Sequence, residues 1–200
     1  MMLQQLRPAL VLLIALTLLT GGLYPLLVTG AAQALFAQQA AGDFIERNGQ
    51  IVGSRLIGQA FSAPHYFWSR PSATGPMAYN AAASSGSNLG PTNPAFLSLV
   101  KDRVSAIQAA HPTQQGPVPL DLVTASASGL DPHISPAAAA QYQVSRVAKA
   151  RNLSAEQVQH LVKTYTQGAQ WGLFGEPVVN VLELNLALDQ LAQPATVNAP

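Results

Sequence analysis

The chain has 200 residues, 48% hydrophobic and only 10% charged, with a formal net charge of +1. It has no cysteine, which excludes a disulfide framework, thiolate chemistry and a Cys-ligated metal site. Of ten Lys and Arg only Arg7 precedes Asp43, so nine basic and nine acidic residues balance over the remainder, and such a neutral domain does not hold nucleic acid by neutralising phosphates.

The first element is an uncharged run from Pro8 to Gly42, bounded by Arg7 and Asp43, with LVLLIALTLLTGGLYPLLV (10–28) at its centre. A membrane-spanning helix needs roughly 20 mostly apolar residues, because each adds about 1.5 Å across a hydrocarbon core about 30 Å thick. The run predicts a transmembrane helix over 8–36 in a lipid bilayer, after a short N-terminus at 1–7. A cleaved signal peptide is the competing reading, with Arg7 as its basic region and Ala32-Gln33-Ala34 as its cleavage site. The apolar run is longer than such peptides use. A buried core helix rarely needs apolar residues on every face. Arg7 and the amine lie on one side, and Asp43, Glu46 and Arg47 on the other. That bias favours a cytoplasmic N-terminus and an extracytoplasmic main domain at the inner or plasma membrane. Thr17, Gly21 and Pro25 recur every four residues, with Gly22 beside them. Small residues at this spacing let a partner helix approach. Pro25 cannot donate its i→i−4 bond, which predicts a kink near Gly21-Gly22.

Asp43 to Ile57 reads as a hairpin, because both residues of Asn48-Gly49 tolerate positive φ; strand is expected to continue towards Gln59. Phe61 to Ser72 concentrates Phe61, His65, Tyr66, Phe67, Trp68 and Arg70, either as core or as a recognition surface. Residues 79–94, YNAAASSGSNLGPTNP, form a long loop by composition, and long loops in compact domains are usually functional. Here Asn80, Ser84, Ser87 and Asn88 offer amides and hydroxyls, and Gly86 and Gly90 allow close backbone approach.

Asn93-Pro94 starts a helix that His111-Pro112 stops, with Phe96, Leu97, Leu99, Val100, Val104 and Ile107 as its apolar stripe and Lys101, Asp102 and Arg103 as its solvated face. A small polar turn follows over 124–129, then Asp131-Pro132-His133. Ser135-Pro136 opens a second helix, Ser154-x-x-Gln157 is a capping box for a third, and Asn180-x-x-Glu183 caps a last helix with Val181, Leu184, Leu188 and Leu191 on one face. The fold class expected is α/β in the α+β sense: one span, then a single domain at 43–192 with a small sheet and about four helices, then a loose tail at 193–200.

Taken together, GSRLIGQAF (53–61), YFWSRPSA (66–73), the 79–94 loop, VTASASGLDPHISPAAAAQYQVSRVAKARNLS (123–154) and WGLFGEPVVNVLELNLALD (171–189) resemble the KdpC family over nearly the whole chain. These are the C subunits of the potassium-transporting Kdp P-type ATPase. The resemblance implies a non-catalytic accessory subunit beside a channel-like A subunit, an ATP-hydrolysing B subunit and, in many systems, a small F peptide. It further implies stabilisation of the assembly and a catalytic-chaperone role that raises the B subunit's ATP affinity. ATP binding is assigned there to the stretch at 124–131, and potassium is carried by the complex. This chain holds no Gly-x-x-x-x-Gly-Lys phosphate loop, and an outside domain is beyond the reach of cytoplasmic ATP. An effect on the B subunit would then pass through the membrane helices.

On this reading no residue is catalytic and none ligates a metal. Arg70, Asn80, Ser84, Ser87, Asn88 and Gly90 are candidate partner contacts, as are Ser126, Ser128, Asp131 and His133. The alternatives are an anchored hydrolase, with Ser126 or Ser128 as nucleophile beside Asp131 and His133, and an exported binding protein cleaved near Ala34.

Overall fold

A computed structural model describes residues 2–192, so the predicted tail from Gln193 lies outside the described residues. The first helices are α1 (Met2–Leu18), α2 (Tyr24–Leu35) and the short α3 (Ala37–Ala40), with a π-turn at Leu19–Leu23 joining α1 to α2. Gln4–Leu35 is long and apolar enough to cross a membrane, and none of it is buried within the chain. The π-turn falls where the kink was expected. There the Tyr24 amide reaches back five residues to the Leu19 carbonyl, the adjustment a helix makes when proline removes a donor. The hairpin follows as β1 (Phe44–Arg47) and β2 (Gln50–Ser54), with Asn48 and Gly49 both at positive φ, 53° and 76°. It ends earlier than expected: Arg55–Ile57 is a turn, in which the Leu56 amide donates to Ser54 Oγ.

The described residues divide into two units, which part between Val52 and Gly53. The second contains α4 (Pro94–Ala110), β3 (His133–Ile134), α5 (Gln141–Arg151), α6 (Ala155–Thr164), β4 (Thr166–Gln167), β5 (Val178–Asn180) and α7 (Val181–Ala192). A π-turn at Pro136–Ala140 leads into α5. The caps act as their residue types predict. Asn93 Oδ1 accepts from the Ala95 amide, Ser135 Oγ from Ala139, and Asn180 Oδ1 from Glu183, and Ser154 and Gln157 complete their reciprocal box. Three short strands form an antiparallel sheet in the order β3-β5-β4, pairing His133 with Asn180 and Thr166 with Val179.

The core collects Phe67, Ile134, Val144, Val147, Val158, Val179, Leu184 and Leu188. The aromatic segment is therefore chiefly interior, with Phe67 fully buried and Trp68 packed at its edge. At Phe67 and Trp68 it has no strand partner, so two buried amides satisfy its backbone there. Asn185 Oδ1 accepts from the Phe67 amide and its Nδ2 donates to the Phe67 carbonyl, at 2.8 and 3.0 Å. Gln143 does the same for Trp68, at 2.7 and 3.1 Å. Leu191, placed by its spacing on one face of α7 with Val181, Leu184 and Leu188, is 52% exposed.

Arg146 ties α5 to this segment. It donates to the carbonyls of Pro64 and Tyr66, to Gln143 Oε1 and to His111 Nε2, and its guanidinium lies 4.3 Å from the centre of the Trp68 ring. Burial pulls its pKa down to about 10, so it stays cationic at neutral pH. His111 accepts from Arg146 through Nε2, which leaves the proton on Nδ1 for the Ile107 carbonyl at 2.7 Å. Burial, helped by the Arg146 charge, holds His111 below its ordinary value, and His133 is lowered chiefly by burial too. Both rings are thus neutral in the fold and take up protons more readily once unfolded. Below the unfolded value of about 6.5 the unfolded state binds more protons, so stability falls as pH drops. The unfolding midpoint should be level above neutrality and decline on acidification, and His111→Asn should flatten that decline.

Candidate functional site

The loop at 79–94 and the turn at 124–131 are built against each other. Ser126 bridges to Ser72 in parallel fashion: its amide donates to the Pro71 carbonyl and its own carbonyl accepts from the Ala73 amide, both at 2.8 Å. From the other side, the Ser85 amide donates to the Ala127 carbonyl and the Gly129 amide donates to Ser84 Oγ. Gly129 is buried against Asn80, whose carbonyl occupies the space a Cβ would need. Asn80 holds its own turn, accepting from the Ala82 amide and donating to the Gly75 carbonyl. Ser87, Asn88 and Gly90 stay exposed at the outer part of the loop, with Asn88 at a φ of 51°.

Ser126 Oγ accepts from the Ser128 amide and Ser128 Oγ from the Leu130 amide, so both hydroxyls cap the turn. Neither is hydrogen-bonded to His133, which sits on β3, and the geometry assembles no nucleophile and base. The same bonds bear on the nucleotide expectation. The amides of Ser126, Ser128, Gly129 and Leu130 are all committed to acceptors within the chain. A phosphate cradle needs such N–H groups open and convergent, so these residues do not fit one.

Arg70, Asp131 and His133 do come together, lining a recess of about 220 Å³ with Asp121 and Glu176. Arg70 Nη1 lies 3.4 Å from Asp131 Oδ2, and its Nε donates to the Thr124 carbonyl. Asp121 accepts from the Ser135 amide at 2.8 Å. Asp121 and Asp131 are spent on the fold, and among the described residues no group of three His, Asp or Glu converges as a metal site. Thr17, Gly21, Gly22 and Pro25 belong to the other unit. A Cβ added at Gly21 or Gly22 would meet nothing within 4 Å, so close approach there is open to a neighbour.

Arg103, read from sequence as solvated, is partly buried and donates to the Val123 carbonyl. The three- and four-residue spacing from Phe96 through Leu99 to Arg103 was the available signal, since it puts all three on one face of α4.

Residues 6–190 match the family model described as KdpC, K+-transporting ATPase, c chain. The chain belongs to the KdpC family. It is 62% identical to the potassium-transporting ATPase KdpC subunit of Methylococcus capsulatus over 190 residues, covering 95% of this chain and all of that one. It is 63% identical to the KdpC subunit of Polaromonas naphthalenivorans, over 98% and 97% of the two chains. The KdpC subunit of Dechloromonas aromatica matches at 58%, over 94% and 98%. KdpC membership makes this a potassium-transport subunit with one candidate membrane helix at its N-terminus.

Proposed function

We propose that this chain is a non-catalytic accessory subunit of the Kdp complex. Its span anchors it beside the channel-like A subunit and the ATP-hydrolysing B subunit, and the small F peptide where present. The domain lies outside the cytoplasm, where it stabilises the assembly. It raises ATP affinity of the B subunit without touching nucleotide, by favouring one pump state through the membrane helices.

The observation that carries this reading is how the 124–131 turn spends its donors. The Ser126 amide goes to the Pro71 carbonyl, the Ser128 and Leu130 amides to the turn's own hydroxyls, and the Gly129 amide to Ser84 of the 79–94 loop. Potassium-stimulated ATPase activity of purified complexes, with and without this chain, tests it. Omitting the chain should raise the ATP concentration needed for half-maximal rate and lower the yield of intact complex. Unchanged values for both would sink the proposal. Placement is checked separately. The chain has no cysteine, so Trp171→Cys gives a single thiol that an impermeant reagent should label on intact cells.

Within the span, Gly21→Ile should leave the chain folded, because nothing in it contacts that position. It should weaken association with the partner helices about tenfold, read as loss of co-purification.

A further inference from the structure

A cavity of about 300 Å³ opens between four segments: Ser72-Ala73, the loop at Ser87 and Leu89, the first turns of α4, and Thr124-Ala125. Leu89, Phe96 and Leu99 give it apolar walls, and Leu99 is 41% exposed. The cation lining it is Arg103. A guanidinium has five N–H donors, and here one is placed, from Nη1 to the Val123 carbonyl at 3.0 Å. Elsewhere in the domain Arg55, Arg70 and Arg151 each meet a carboxylate, and Arg146 is wrapped by four acceptors. Among the described residues none lies within ion-pair distance of Arg103. Burial alone lowers its pKa, with no neighbouring charge to offset it.

We infer that this cavity receives a carboxylate side chain from another subunit of the transporter, paired with the Arg103 guanidinium. The inference rests on the docked-subunit reading above and names the chemistry of one contact in it. A planar guanidinium holds a carboxylate through two parallel bonds, stronger in a partly dehydrated pocket than at an open surface. Ser87 lines the same cavity, the Thr124 hydroxyl being spent on the Leu120 carbonyl, and Leu89, Phe96 and Leu99 would cover the aliphatic stem of a glutamate. Asp102, the neighbouring acid on α4, is exposed and forms no ion pair with Arg103, while Asp121 accepts from the Ser135 amide and Asp131 meets Arg70. A polypeptide acid satisfies both the charge and the apolar walls, whereas a free small anion would leave those walls wet.

The test uses the assembled, purified complex. Arg103→Lys puts an amine where a water-soluble carbodiimide can couple it to a touching carboxylate. Mass spectrometry should find residue 103 joined to an Asp or Glu of a partner subunit, a link the native guanidinium cannot form. Arg103→Met should weaken association by about tenfold or more while lowering the unfolding midpoint by no more than the lost Val123 bond accounts for; if it misfolds, the Arg103→Lys link decides alone. No link at 103, a link only to this chain's own acids, or wild-type affinity in a folded Arg103→Met overturns the inference. Links from Lys101, Lys149 or Lys163 to partners would then keep the docked reading standing. Failure of the wild-type chain to co-purify would sink both.

Discussion

Gly129→Ala is expected to lower the unfolding midpoint of the chain by about 6–12 °C. A Cβ at Gly129 would sit on the Asn80 carbonyl oxygen and within 2.7 Å of the Ala81 Cα. These neighbours are main chain, which cannot swing aside as a side chain can. Forcing an extra methyl into a filled site costs about 3 kcal/mol at the upper end of ordinary overpacking, and each kcal/mol shifts a domain of this size by about 2–4 °C. The damage should be local in form. With the turn displaced, Ser84 and Ser85 lose their bonds to Gly129 and Ala127, so the 79–94 loop should become the first site of proteolytic nicking. Gly90→Ala is the control, because nothing lies within 4 Å of a Cβ there. Equal midpoints for the two variants would show that the loop and turn are not locked together.

The second large effect is expected from Gln143→Met, at about 4 kcal/mol of destabilisation. Methionine nearly conserves volume, and a packing change of that kind costs under about 1.5 kcal/mol. The remainder comes from hydrogen bonds. Gln143 is fully buried, accepts from the Trp68 amide and from Arg146, and donates to the carbonyls of Trp68 and Ala139. Removing it strands a donor and an acceptor on Trp68, each worth about 1–3 kcal/mol. Denaturant unfolding followed by Trp68 fluorescence measures the total. A loss under about 1.5 kcal/mol would mean that water replaces the amide and that the segment is not pinned from α5.

The helices of the domain were legible because caps are local chemistry. Asn93-Pro94, Ser135-Pro136, Ser154-x-x-Gln157 and Asn180-x-x-Glu183 each announce a helix within four residues, and each does so here. The hairpin was legible for the same reason, from Asn48-Gly49. The three-stranded sheet was not. Strands of two or three residues, His133–Ile134, Thr166–Gln167 and Val178–Asn180, are too short to show alternation, and the pairing of the first with the last reaches from His133 to Asn180. The site divides along the same line. Asp131 and His133 were singled out as neighbours in sequence, but their shared recess with Arg70 is set by folding across 61 positions. Arg103 looked like an ordinary surface charge because its companions Lys101 and Asp102 are one. The aromatic segment stayed ambiguous because the amides that bury it come from Gln143 and Asn185, far along the chain.

The π-turn at Leu19–Leu23 carries a consequence for what can replace this anchor. Pro25 brings no N–H, so the coil before it is one donor short, and the Thr20 hydroxyl is already spent on the Leu16 carbonyl. At hydrocarbon depth water does not arrive to fill the gap. An adjacent helix offering a hydroxyl or amide at that height gains a bond with a direction, where apolar side chains give only adhesion. A polyleucine rod of equal length would still hold the domain to the bilayer, but it would have no preferred azimuth against its neighbours.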